Sequence, residues 1–176
     1  MTPARILLIG MMGAGKTSVG RALSARTGWS YRDNDEIVAE GEGVATDELL
    51  KRVGRDGLRA AESRALSRVL EQEPPLIAGV AGGVIESPQD RQRLMAPDAF
   101  VVYLHSPIEV LVERVGSGEG RPWLQPDPET AMRRLFAGRE PLYREVADLV
   151  VESAEGDAEQ HADTILAALE HWSPGR

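Results

Sequence analysis

Apolar residues fall along the chain in short runs separated by helical stripes. Residues 5–9, an arginine followed by four apolar residues, form a short run ending at Gly10, as expected of a strand buried on both faces. A glycine-rich turn follows, and from Thr17 the stripe of Val19, Leu23 and the alanines predicts a helix that stops at Gly28. Residues 29–32 predict a second short strand that delivers Asp33, Asn34 and Asp35 at its end. The polar stretch 35–52, with Gly41 and Gly43, predicts short helices, the second capped by Thr46. Leu58, Ala61, Ala65, Leu66 and Val69 then mark a clearer helix capped by Asp56.

The alternation continues to the end of the chain. Residues 76–78 predict a strand running into Gly79-Val80-Ala81-Gly82-Gly83, and Ser87-Pro88 begins a helix. Residues 99–104 predict another strand, with Ser106-Pro107-Ile108-Glu109 read as a capping box before the stripe Ile108, Leu111, Val112 and Val115. Residues 116–126 have no period and hold three glycines and two prolines, which predicts a mobile loop. Asp127-Pro128 restarts a helix with Met132, Leu135 and Phe136; residues 147–151 predict the last strand and 158–172 the last helix. Strands alternating with helices predict an α/β fold of three layers, a central parallel sheet covered on both sides.

The chain of 176 residues suits one domain and is short for two, so residues 1–176 are expected to form a single unit. No apolar run is long enough to cross a bilayer, and the first ten residues lack the pattern of a signal peptide, so a cytoplasmic protein with no membrane partner is expected. The formal charge of −8 argues against nucleic acid as a partner, because a phosphate backbone needs a broad basic face. Small anions need only a few cations. The only lysines are Lys16 and Lys51, so the position of Lys16 carries information.

That position is the lysine of Gly10-Met11-Met12-Gly13-Ala14-Gly15-Lys16-Thr17, which satisfies GxxxxGK[ST] at every fixed position. The motif lies between a predicted strand and a predicted helix, so backbone N–H groups and the helix dipole converge on one anion. Gly13, Ala14, Gly15, Lys16, Thr17 and Ser18 are therefore the candidate nucleotide-phosphate site, with ATP as the expected nucleotide. Lys16 would neutralise the β- and γ-phosphates, and Thr17 together with Asp33 would hold Mg²⁺. Asp35, two residues on, is placed to orient or deprotonate a substrate hydroxyl, although Asp-Asn-Asp is also good capping chemistry.

Further motifs follow in order: Gly54 to Glu62 as a GxxxFRxxE-like segment, the glycine run, Arg121-Pro122-Trp123-Leu124, and Arg139 to Ala147 as R-x-PLY-x-x-x-A. With the phosphate loop and Asp33/Asp35, this series resembles the shikimate kinases from residue 5 to about 151. The resemblance implies a P-loop NTPase fold of the nucleoside-monophosphate-kinase type, with a substrate segment at about 33–62 and a lid at about 114–126. It implies transfer of the ATP γ-phosphate to the 3-hydroxyl of shikimate, in aromatic amino-acid biosynthesis, by a monomer. Asp35, Arg59, Gly82, Gly83 and Arg139 would hold shikimate, the arginines facing its carboxylate; Arg121 would act with Lys16 on the phosphates, and Arg114 would sit beside adenine.

Taken one at a time, the arginines also suit ordinary ion pairs: Arg59 with Glu62, Arg139 with Glu140 or Glu145, Arg114 with Glu113 or Glu119. The chain departs from the family pattern at Ala81, where glycine is usual, at Leu58 for phenylalanine and at Trp123 for leucine. Two other readings stand beside shikimate: a related kinase for another hydroxylated acid or polyol such as gluconate, and a nucleotide-binding protein without kinase activity. No NKxD guanine signature is present. His105, His161 and His171 match no motif and are expected to be structural or exposed.

Overall fold

The computed structural model describes residues 5–118 and 121–173. Five strands form one parallel sheet: β1 (Arg5–Ile9), β2 (Ser30–Arg32), β3 (Leu76–Gly79), β4 (Ala99–His105) and β5 (Leu149–Glu152), in the order β2-β3-β1-β4-β5. β1 is central, paired with β3 through Ile6↔Ile77 and with β4 through Leu8↔Val102. Its position explains the unbroken apolar run, since Ile6, Leu7 and Leu8 are wholly buried between two helical layers.

Among the described residues seven α-helices surround the sheet: α1 (Lys16–Thr27), α2 (Asn34–Glu42), α3 (Thr46–Glu71), α4 (Pro88–Leu94), α5 (Ile108–Val115), α6 (Pro128–Val146) and α7 (Ala158–His171). α1 packs on α7, α2 on α3, and α5 on α6. The order places the C-terminal ends of β1, β2 and β3 side by side, and the segments that follow them carry the candidate residues.

Three local expectations are corrected. α3 is continuous in outline from Thr46 to Glu71 but breaks at Gly54 (φ 70°, ψ −174°), so the division falls at that glycine rather than at Asp56. Its cap position is Ala45, with no side-chain cap bond, so Thr46 is the first helical residue and not a cap. Ser106 does not cap α5 either, whose cap position is Pro107; Ser106 is buried and its hydroxyl pairs with Ser153 Oγ at 2.9 Å. The hydroxyl that suggested a cap is used across the sheet instead.

Asp127 and Asp157 cap α6 and α7 through bonds from Thr130 N and Gln160 N. The segment after α5 is less irregular than its composition suggests. Arg121 N donates to Gly118 O at 2.8 Å, Pro122–Leu124 forms a 3₁₀ turn, and Leu124 is fully buried as an anchor. Of the expected lid, Glu119 and Gly120 lie outside the described residues.

Candidate active site

The phosphate loop leaves β1 at Gly10, where a Cβ would stand 2.6 Å from Leu104 O. It closes at Gly15, the N-cap of α1, whose φ of 95° lies in the left-handed region that glycine adopts without strain. Lys16 folds back over the loop and donates to Gly10 O at 2.8 Å and Met11 O at 3.1 Å. Burial lowers its pKa to about 8, with Arg139 and Arg121 acting in the same direction and Asp33 and Asp35 opposing. A cation held in this way is ready to exchange carbonyl partners for phosphate oxygens.

The loop is braced from below. Ser153, at the end of β5, donates to Ala14 O at 3.0 Å, and Arg114 donates to Gly13 O at 3.1 Å and Ser153 O at 2.8 Å. Ala14 itself is buried, and its N–H donates to Met11 O at 3.2 Å. Gly13, Gly15, Lys16, Thr17 and Ser18 therefore line the cavity above the loop, while Ala14 and Arg114 stand outside its wall. Arg114 lies across backbone carbonyls of the loop and the β5 end rather than on Glu113.

Asp33 uses its two oxygens for two purposes. Oδ1 accepts from Asp35 N at 3.1 Å and caps α2; Oδ2 accepts from Thr17 Oγ1 at 2.8 Å and from Tyr31 Oη at 2.9 Å. The capping and metal-site readings of this aspartate are thus compatible. Burial, reinforced by the Asp33 charge, raises the Tyr31 pKa, so the phenol remains a donor. Among the described residues no group of three His, Cys, Asp or Glu is placed to hold a metal. Thr17 and Asp33 are hard oxygen donors at the mouth of the phosphate loop, which fits Mg²⁺ sharing its coordination with phosphate and water.

Arg59, Glu62, Gly82, Gly83 and Arg139 line the same cavity, whose volume is about 940 Å³. Gly83 lies against Arg59: a Cβ there would meet Nη1 at 1.8 Å, so the guanidinium would have to move from its present place. Gly82 lies under Arg139, its hypothetical Cβ 3.4 Å from Nη1, and its carbonyl accepts from buried Tyr143 Oη at 2.7 Å. The two glycines thus admit guanidinium groups.

Arg59 pairs with Glu62 at 2.5 Å, whose pKa is raised by burial against the opposing Arg59 charge. Arg139, only 2% exposed, pairs neither with Glu140 nor with Glu145 but with Glu86, whose Oε1 accepts from Nε at 2.7 Å. Sequence reasoning missed Glu86 and Tyr31; neither lies at a fixed position of the motifs considered. Asp35, Arg121, Ala81 and Trp123 also line the cavity. The histidines stand apart from it: His105 pairs with Glu152 at 2.6 Å, His161 is buried and His171 is exposed.

A five-stranded parallel sheet with a phosphate loop after its central strand, and one cavity joining that loop to carboxylates and arginines, defines a P-loop kinase of small molecules. Residues 12–170 match the family described as shikimate kinase. The chain is 38% identical over 170 residues to the shikimate kinase of Halorhodospira halophila, covering 96% of this chain and 95% of that one. Its structure superimposes on a shikimate kinase from Acinetobacter baumannii in complex with shikimate with a TM-score of 0.89 and 34% identity, covering 97% and 94%. For the enzyme from Aquifex aeolicus the TM-score is 0.80 at 30% identity, covering 94% and 96%. The chain belongs to the shikimate kinase family.

Proposed function

We propose that this protein transfers the γ-phosphoryl group of ATP to the 3-hydroxyl of shikimate, giving ADP and 3-phosphoshikimate. The observation that carries the proposal is the single cavity lined both by the phosphate loop and by Arg59 and Arg139, with Asp33 and Asp35 on its wall. In this reading the N–H groups of Gly13 and of Gly15 to Ser18 receive the phosphates, and Lys16 and Arg121 stabilise charge on the transferred group. Thr17 and Asp33 hold Mg²⁺, which neutralises phosphate charge when bound. Asp35 accepts a hydrogen bond from the attacking hydroxyl and orients it. The P–O bond to ADP breaks as the bond to the acceptor oxygen forms, and the hydroxyl proton passes to Asp35 and from it to solvent.

Arg59 and Arg139 receive the acceptor's carboxylate, because a guanidinium offers a planar fork matched to it. Ala81 lies beside Gly82 and Gly83 on the wall, and the acceptor is accommodated with its methyl in place. Arg114, at the edge of the loop, takes the adenine side. Among the described residues no helix is long and apolar enough to cross a membrane. Coupled ADP release with shikimate, with gluconate and with no acceptor tests the proposal. Turnover dependent on shikimate is expected; turnover with gluconate alone, or equal rates with and without acceptor, would replace it with one of the two other readings.

A further inference from the structure

Glu86 follows the glycine run at the end of the 3₁₀ turn Val84–Glu86. Its carboxylate reaches both arginines of the proposed clamp: Oε1 lies 2.7 Å from Arg139 Nε and 2.7 Å from Nη2, and Oε2 lies 3.7 Å from Arg59 Nε. Arg59 and Arg139 are on the cavity wall, whereas Glu86, its side chain 42% exposed, is not among the residues that line it. Nε of Arg139 is thus hydrogen-bonded to Glu86, Nη2 lies at ion-pair distance from the same oxygen without a hydrogen bond, and Nη1 lies near Gly82.

We propose that Glu86 is a positioning residue for acceptor binding, a carboxylate shared by the two guanidinium groups that aims them at the carboxylate of the substrate. A buried guanidinium needs a compensating charge, and the pairing of Arg59 with Glu62 leaves Glu86 to supply it for Arg139. Arg59, Arg139, Glu62 and Glu86 together carry no net charge. The clamp therefore selects a carboxylate by the direction of its N–H groups more than by bulk positive potential. Charge alone predicts that removing Glu86 strengthens anion binding; positioning predicts that it weakens it. The sign separates the two.

The inference rests on the proposed shikimate reading, and its test distinguishes the two. KM and kcat are measured for ATP, for shikimate and for an analogue with the carboxylate replaced by a carboxamide, in wild type, Glu86→Gln and Glu86→Ala. Wild type is expected to prefer shikimate over the amide. Glu86→Ala should raise the shikimate KM about ten- to a hundredfold, leave the ATP KM within about twofold, and erase the preference. Glu86→Gln keeps an acceptor oxygen at the same reach and should fall between, and it is read alone if the alanine variant does not fold. An unchanged or lower shikimate KM in the folded variants, with wild-type preference intact, overturns the role of Glu86 and leaves the clamp standing. Absence of the preference in wild type overturns the clamp and the role of Glu86 together.

Discussion

Thr17 Oγ1 donates to Asp33 Oδ2 at 2.8 Å, joining the last residue of the phosphate loop to the carboxylate at the end of β2. The same oxygen accepts from Tyr31, and the other oxygen caps α2, so the carboxylate is held from three directions. Such a group presents its remaining lone pairs with little freedom, which favours a cation of demanding geometry. Replacing Asp33 by Asn should raise the Mg²⁺ concentration for half-maximal activity about ten- to a hundredfold. Tyr31→Phe should raise it by a smaller factor, because it removes one orienting bond and no charge. Titrations of Mg²⁺ and Mn²⁺ at saturating ATP give both values; unchanged requirements in both variants would remove this pair from metal binding.

Lys16 provides a pH test. Burial lowers its pKa to about 8, so in the free enzyme the cation is present below that value and is lost as pH rises through it. kcat/KM for ATP reports the free enzyme and should therefore fall above about pH 8, approaching tenfold per unit. Bound phosphates favour the charged form, so the decline in kcat should lie at higher pH. A kcat/KM profile flat to about pH 10 would contradict the assignment. Lys16→Ala should abolish measurable transfer while retaining native circular dichroism; near-native turnover in a folded variant would exclude Lys16 from the chemistry.

The features legible in the sequence were those whose determinants are neighbours along the chain. The phosphate loop is specified within Gly10 to Thr17, and the parallel sheet follows from strands alternating with helices. Partner choice across the fold was not legible. Taken alone, Arg139 suits a glutamate on its own helix, but its partner is Glu86, 53 positions away, brought near when α6 packs against the turn after β3. Ser106 was read as a cap because serine before Pro107 suits one; β5 placed Ser153 against it instead. Tyr31 reads as one residue of a short strand until Gly79 and Gly20 make room for its ring beside Asp33.

The lid is proposed from Arg121 and Trp123, which line the cavity above a turn anchored by Leu124. Amide exchange at residues 121–124 should slow when a nonhydrolysable ATP analogue and shikimate bind together. Trp123 emission should shift at the same time, and Trp123→Phe should remove that shift, since Trp29 and Trp172 are outside the cavity wall. Equal exchange in the free and ternary forms would mean that this turn does not close.

The arginine clamp makes the most demanding prediction. Arg59 and Arg139 differ in support: Arg139 is nearly inaccessible and tied to Glu86, whereas Arg59 is more exposed and held chiefly by Glu62. Lysine in either place keeps the charge but loses the planar fork, so each replacement should lower kcat/KM for shikimate far more than for ATP. The expected loss is about 1.5–3 kcal/mol per charge-assisted contact, or roughly ten- to a hundredfold or more. Arg139→Lys should be the more severe, because a lysine there must also satisfy Glu86 from a buried position, and it should lower Tm as well. Ala81→Gly probes the pocket from the other side. If the cavity accommodates shikimate with the methyl present, removing it should leave shikimate turnover equal or higher; a fall would show that the methyl packs against a different acceptor. Equal losses for ATP and shikimate in the two lysine variants would mean that the arginines support the fold of the site rather than contact the substrate, and the clamp would have to be abandoned.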